Sequence, residues 1–195
     1  MTEPPYSLEE GQILLHNARE SIRNGLESHR LLIPELDHIP PTLLEPRACF
    51  VTLEKNHTLR GCIGGLEPRH PLLHAVARSA YQSAFADPRF PPLAADEEPH
   101  INISISILSP PEPLPAKSNL HLIQSLRPRI DGLILEDREK TATFLPSVWE
   151  QLPDPAEFLA HLKRKAGWPE SYWSPTLTAS RYTAATVSEP RFSLH

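Results

Sequence analysis

The segment Leu59-Arg60-Gly61-Cys62-Ile63-Gly64 holds the residue types with the clearest chemical potential in this sequence. Arg60 and Cys62 are two residues apart, so in a regular strand their side chains share one face. A guanidinium near a thiol favours the thiolate, which is the nucleophilic and metal-binding form of cysteine. Gly61 and Gly64 flank the thiol, and glycine inside a strand often marks a bulge or a close approach by a backbone or ligand. The segment predicts a reactive cysteine; the alternative is an inert core thiol with the arginine paired to a carboxylate.

A predicted hairpin positions this segment. Residues 48–53 and 58–63 have strand composition, and the polar residues 54–57 are typical of a turn between them. A turn centred between residues 55 and 56 places Cys49 opposite Cys62, which permits a disulfide only if both side chains lean together. Alternation then predicts that one face carries the possible site and the other a core pair. The first set is Cys49, Val51, Arg60 and Cys62, and the second is Phe50 and Ile63.

The other predicted elements alternate between helices and strands. A capping box at Ser7 and Glu10 starts a helix that runs to about Ser28. Residues 100–109 alternate between isoleucine and small polar side chains, which is typical of a half-buried strand. Further elements are helices at 71–86 and 155–166, a hairpin at 130–135 and 141–145, and a last strand at 176–187. The pattern predicts an α+β fold with antiparallel sheets and flanking helices.

Three polar residues outside the hexamer are candidates for ligand binding. Asp87 and Arg89 bracket a proline after a helix, so they either face a ligand or hydrogen-bond the backbone of a rigid loop. Ser104 belongs to the small polar stripe of the strand at 100–109, which either faces water or lines a cleft. Glu97-Glu98 is expected in a solvated loop.

Metal and cofactor signals are weak. His70 and His74 have a spacing that can bind zinc from one helix face, but the sequence offers no third ligand. Glycine-rich phosphate loops, nucleophile-elbow serines and zinc-type cysteine pairs are absent from the sequence. We therefore predict neither a metal site nor a cofactor.

Charge and composition exclude several classes of function. The net charge is −5, and the longest basic run, Lys163-Arg164-Lys165, is expected to complement the dipole at a helix end. This disfavours a nucleic-acid binder, which needs a basic patch. No stretch approaches 18 apolar residues, so no membrane span is predicted. The acidic residues 1–5 do not resemble a signal peptide, and the two cysteines fit a reducing compartment. These features predict a cytoplasmic protein.

Several motifs in order along the chain resemble the AMMECR family, the "A" component of the gene set called AmmeMemoRadiSam. The most specific are the hexamer at 59–64 and Asp87-Pro88-Arg89-Phe90. The other matching stretches are residues 48–53, 85–93, 103–109, 131–135, 144–146 and 165–167. The family more often has a small apolar residue where this sequence has Cys49.

The resemblance carries expectations about fold and partners. It implies a single AMMECR-type domain of two unequal subdomains, the larger formed from both chain ends and the smaller inserted between them. The hexamer would lie in a cleft between the two. The companion proteins resemble a radical S-adenosylmethionine enzyme and a MEMO-type protein related to metal-dependent dioxygenases. The activity of the family is not established.

Two classes of function agree with these observations. In the first, the protein is an enzyme or enzyme subunit: Arg60 orients a small anionic or carbonyl compound, and Cys62 attacks it or holds an intermediate. In the second, it is a binding module that docks to its companions, since the sequence shows no recognised acid–base pair.

Overall fold

The computed structural model describes residues 5–190, which contacts divide into two compact units. The first unit contains the chain up to Leu108 and resumes at Ala185, and the second spans Ser109–Ala184. Residues 1–4, which belong to the segment unlike a signal peptide, lie outside the described residues. Within residues 5–190 no helix has the length and apolar character needed to cross a membrane.

The first unit packs helices on one face of an antiparallel sheet. Its helices are α1 (Leu8–Ser28), α2 (Pro41–Leu44) and α3 (Leu72–Phe85), and its strands are β1 (Cys49–Lys55), β2 (Thr58–Gly64), β3 (Ile101–Leu108) and β8 (Ala184–Ser188). The strand order is β2-β1-β3-β8. The helices and antiparallel sheets of the two units confirm the predicted α+β class. The predicted cleft stays a prediction.

The capping box of α1 is confirmed. The Ser7 hydroxyl accepts a hydrogen bond from the Glu10 amide at 3.2 Å, and the Glu10 carboxylate accepts one from the Ser7 amide at 2.7 Å. These bonds satisfy amides that the first turn of a helix leaves free. The helix ends at Ser28, as predicted, because His29 adopts a left-handed conformation with φ of 58°.

The core of the first unit lies between the sheet and helices α1 and α3. The isoleucines of β3 all point into it, while Asn102, Ser104 and Ser106 are half-buried on the second face of the sheet. This confirms the alternation predicted for that strand. The sheet thus has an apolar helix-covered face and a second face that carries small polar groups.

The register of the β1–β2 hairpin differs from the prediction. The turn consists of Asn56 and His57, both with positive φ (52° and 62°), as a two-residue hairpin turn requires. A β-bulge follows, where the pairing shifts between Leu53 and Glu54. Thr52 therefore lies opposite Cys62, in the position predicted for Cys49. The predicted register was wrong because turn and bulge together shift the pairing by three residues.

Because the register shifts by an odd number of residues, the β1 side chains predicted to share a face with Cys62 lie on the opposite face of the sheet. Cys49 and Val51 point into the core, whereas Phe50 is half-buried on the opposite side, so the predicted faces of β1 were wrong. Ile63 lies opposite Val51, on the core side, while Cys62 shares the second face with Thr52. A disulfide is not formed: both cysteines are free.

The second unit has its own antiparallel sheet. Its elements are β4 (Glu112–Pro113), α4 (Asn119–Ser125), β5 (Gly132–Asp137), β6 (Lys140–Phe144), α5 (Pro155–Lys165) and β7 (Thr178–Tyr182), and the strand order is β4-β7-β5-β6. The predicted cap of α5 is present, since Asp154 accepts from the amides of Ala156 and Glu157. The single strand predicted at 176–187 is instead β7 and β8, which belong to different sheets and are separated at Thr183.

Lys163 departs from the role expected of the basic run. Its side chain is fully buried, and its ammonium donates to Asn119 Oδ1 at 2.5 Å and to the carbonyls of Tyr172 (2.6 Å) and Glu170 (3.2 Å). Burial lowers the pKa of Lys163 to about 8. The residue therefore ties α5 to the segments at 119 and 170–172, because a buried charge requires hydrogen-bond partners.

Candidate functional site

The free edge of β2 at Cys62 is occupied by side chains instead of another strand. The Cys62 amide donates to Asp87 Oδ2 at 2.9 Å, and the Cys62 carbonyl accepts from Arg89 Nη2 at 3.2 Å. Arg89 in turn binds Asp87 through Nη2 (2.8 Å), Nε (3.0 Å) and its own amide (3.1 Å). We call this arrangement the Asp87–Arg89 clip. It satisfies one donor and one acceptor of an edge strand and fixes the backbone that carries the thiol.

The clip contains a strongly stabilised carboxylate. The Asp87 side chain is only 2% exposed, and hydrogen bonds from Arg89 hold the pKa of its carboxyl well below the usual range, with a smaller contribution from the Cys62 amide. The hydrogen bonds to Asp87 also raise the pKa of Arg89, and the charges of Asp87 and Cys62 raise it by smaller amounts. Arg89 is therefore a permanent cation within electrostatic reach of Cys62.

The Cys62 sulfur begins a row of small polar groups across the second face of the sheet. Sγ accepts a hydrogen bond from Thr52 Oγ1 at 3.3 Å, and Thr52 is paired across the sheet with Ser104. Ser104 Oγ lies 2.9 Å from Ser188 Oγ of β8. Cys62 is half-buried, in contrast to Cys49, whose pKa is raised to about 12 by burial. The row therefore ends in the Cys62 thiol, which accepts a hydrogen bond from the Thr52 hydroxyl.

Arg60 occupies a different environment from the one expected. It lies at the bulge, where strand alternation between it and Cys62 breaks down. Its guanidinium binds Glu97 through Nε (3.0 Å) and Nη2 (2.8 Å), with Nη2 also bound to the Pro91 carbonyl (3.0 Å), and lies over the Phe90 ring. Nη1 is buried and has no hydrogen-bond partner among the described residues. Arg60 therefore links the hairpin to the loop after α3.

The two glycines of the hexamer are required by backbone packing. A Cβ on Gly61 would collide with the carbonyl oxygen of Ser83 in α3. A Cβ on Gly64 would collide with the Cys49 carbonyl and with Phe50 of the neighbouring strand. The sequence left two explanations for these glycines, a bulge or a close approach by a backbone or ligand. The structure shows close approach by protein backbone at both positions.

The structure brings Cys62, Asp87 and Arg89 together and places Ser104 in the same polar row. Sequence reasoning missed Thr52, which only the correct register places opposite the thiol. It also missed Glu97, which is half-buried between Arg60 and Lys55 and is not part of a solvated loop. Glu98 is buried and binds Arg19 and Arg23. These ion pairs join residues far apart in sequence, so no local pattern signals them.

The histidine pair considered for zinc is not arranged as a ligand set. A ring nitrogen of His74 lies 3.0 Å from the Pro34 carbonyl, and His70 is exposed. Among residues 5–190 no group of three or more histidine, cysteine, aspartate or glutamate side chains is placed to hold a metal ion.

The two antiparallel sheets with their helices place this chain among the α+β proteins. Comparison with known proteins identifies its family. The AMMECR1 family model matches residues 15–187. A protein of Methanothermobacter thermautotrophicus is 38% identical over 192 residues, covering 97% of this chain and 99% of its own length. Protein MJ0810 of Methanocaldococcus jannaschii is 37% identical over 170 residues, covering 86% and 83%.

A solved structure supports the same assignment. The crystal structure of uncharacterized protein PH0010 from Pyrococcus horikoshii matches with a TM-score of 0.86 and 33% identity, covering 93% of this chain and 92% of its own. The chain belongs to the AMMECR1 family. The resemblance seen in the sequence motifs is thereby confirmed at the level of the family.

Proposed function

We propose that this protein is a small-molecule-handling enzyme, or a subunit of one, in which the Cys62 thiol is the reacting group. The observation that carries the proposal is the hydrogen bond from Thr52 Oγ1 to a half-buried Sγ. A hydroxyl that donates to sulfur stabilises the thiolate, and partial exposure leaves the sulfur open to a ligand. Cys49 also has a hydroxyl beside its sulfur, Ser79 Oγ at 3.8 Å, but it lacks the exposure, since it is 2% exposed and faces the core.

The proposed ligand is a small carbonyl or anionic compound. Addition of the sulfur to a carbonyl carbon, with the thiol proton passing to the carbonyl oxygen, balances without another reactant. Arg89 supplies the cation for the developing oxyanion, because its Nε and Nη2 are held by the clip while Nη1 has no partner among the described residues. Ser104 extends the polar surface next to Thr52, and Gly61 and Gly64 fix the strand.

Arg60 enters the proposal as a positioning residue. It anchors the loop that carries the clip, through Glu97 and the Pro91 carbonyl. Its buried Nη1 has no hydrogen-bond partner among the described residues. Loss of this guanidinium would therefore act on Cys62 through the loop.

The proposal extends to partners and compartment. We propose that the protein acts with the radical S-adenosylmethionine and MEMO-like companions of its gene set, and that it does so in the cytoplasm. Two unpaired thiols fit a reducing compartment. The competing hypothesis is a non-catalytic adaptor that docks to the same companions.

Replacement of Cys62 by serine tests the proposal. We expect Cys62→Ser to lower stability by less than ~1 kcal/mol, within a few degrees of the wild-type melting temperature, because the hydroxyl can keep the Thr52 hydrogen bond. We also expect it to fail to complement a strain that lacks the gene. The control is Cys49→Ala, which leaves a small core cavity, melts earlier and retains function.

Co-purification with the companions separates the two hypotheses. An enzyme role predicts that Cys62→Ser still binds them although function is lost. Loss of binding together with function supports the adaptor. Full complementation by Cys62→Ser refutes the proposed chemistry.

A further inference from the structure

A pocket of the first unit has the features of a ligand site and does not include Cys62. It has a volume of about 460 Å³, within the range of small-molecule sites. One wall is a single face of α3, formed by Ala75, Arg78, Ser79 and Gln82 at helical spacing. The other walls are the start of β1, the last residue of β2 and the segment that follows it.

Cationic side chains from three separate segments line this pocket. Arg47 precedes β1, Arg69 follows β2, and Arg78 comes from α3. Glu67 is the single carboxylate among the lining residues. An excess of guanidinium groups in one pocket stands out in a chain with a net charge of −5. Such a lining concentrates anions at the pocket.

The three arginines differ in whether their guanidinium groups already have partners in the protein. Arg47 and Arg69 each bind a glutamate two residues away, at 2.7 Å and 2.5 Å. The Arg69–Glu67 pair is exposed and the Arg47–Glu45 pair is partly exposed, and ion pairs open to solvent contribute little energy. The side chain of Arg78 has no hydrogen bond or ion pair with any described residue. It is therefore the cation most available to a ligand.

We infer that this pocket binds a small molecule carrying a phosphate or carboxylate group. The planar guanidinium fork suits either oxyanion, and convergence of arginines from separate segments gives a preformed set of donors. The floor adds neutral groups, with Ser79 Oγ 3.8 Å from the buried Cys49 Sγ, and Ala48 and Ala75 add apolar surface. The body of the ligand is therefore small and only partly polar.

Gly65 provides a direct test of the charge argument. It lines the pocket, and a Cβ built on it meets nothing within 4 Å, so a side chain fits there without displacing protein atoms. Gly65→Asp places a carboxylate at the pocket, whereas Gly65→Asn adds the same shape without charge. The pair separates electrostatic repulsion from steric blocking.

The experiment is calorimetric titration of the full chain at low ionic strength with inorganic phosphate and, separately, with succinate. We expect saturable binding of at least one probe, and the stronger probe identifies the oxyanion. Arg78→Gln and Gly65→Asp should each weaken that binding at least about tenfold, which corresponds to about 1.4 kcal/mol. Gly65→Asn should stay within about threefold of wild type.

Arg30→Gln is the control for overall charge, since Arg30 is exposed and lies outside the pocket. Melting temperatures of all variants verify that the fold is intact. The inference is overturned if neither probe binds saturably, if Arg30→Gln weakens binding as much as Arg78→Gln does, or if Gly65→Asp and Gly65→Asn behave alike.

Discussion

Gly61→Ala is expected to destabilise the first unit by about 3 kcal/mol, the upper end of the usual cost of overpacking. The added methyl group would collide with the Ser83 carbonyl oxygen, which is helix backbone and cannot rotate away. Strand β2 or helix α3 must therefore shift. The Ser83 hydroxyl accepts from the Ile63 amide and donates to the Val51 carbonyl, both at 2.8 Å, so a shift also strains these bonds.

Gly65→Ala is the matched control for this change. Gly65 follows the same strand, but a methyl group there meets nothing within 4 Å. Its stability should therefore equal or slightly exceed that of wild type, because alanine lowers the entropy of the unfolded chain. Thermal melting decides the comparison: 3 kcal/mol corresponds to roughly 6–12 °C in a chain of this size. A Gly61→Ala variant that melts with wild type would contradict the helix contact as the reason for this glycine.

Asp87→Asn is expected to cost about 2–3 kcal/mol at neutral pH. The carboxylate accepts hydrogen bonds from the Cys62 amide and from three donors of Arg89. An amide group keeps one acceptor oxygen and turns an NH₂ group toward donors, so at least one buried donor loses its partner. Asp96→Asn is the control, since Asp96 is exposed and should change stability by less than about 0.5 kcal/mol.

The pH dependence of this difference gives a second check. Because the pKa of Asp87 is lowered in the folded protein, its stabilisation is complete above the unfolded-state pKa of about 3.9 and is lost as the pH falls below it. Urea unfolding should show wild type and Asp87→Asn well separated at pH 7 and converging below about pH 4. A difference that stays constant down to pH 2 would show that the carboxylate charge does not stabilise the clip.

The sequence predicted most elements of the fold because their signals are local. The Ser7 and Glu10 cap, the isoleucine alternation of β3 and the proline and glycine at the ends of α5 each act within a few residues. The last strand was merged because nothing local distinguishes β7 from β8: the chain changes sheets at Thr183, and its partners lie far away in sequence.

The candidate site was predictable in composition but not in geometry. Cys62 and the Asp87–Arg89 pair could be recognised from their residue types. Their arrangement depends on a two-residue turn and a bulge at Arg60, which together shift the pairing by three residues. The shift replaces Cys49 with Thr52 as the neighbour of Cys62. Glu97 was misjudged because its cation partner, Arg60, lies 37 residues away in the chain.

The reactivity of Cys62 toward iodoacetamide in the native protein tests the central claim most directly. Mass spectrometry of both cysteine peptides makes Cys49, buried and 2% exposed, an internal control. At neutral pH we predict that Cys62 reacts faster than a free cysteine model compound, that Cys49 reacts only on unfolding, and that Thr52→Val slows Cys62 by about two- to tenfold, as loss of a hydrogen bond of roughly 0.5–1.5 kcal/mol implies. A Cys62 that reacts no faster than the model compound, at a rate unchanged by Thr52→Val, would contradict its role as the reacting group.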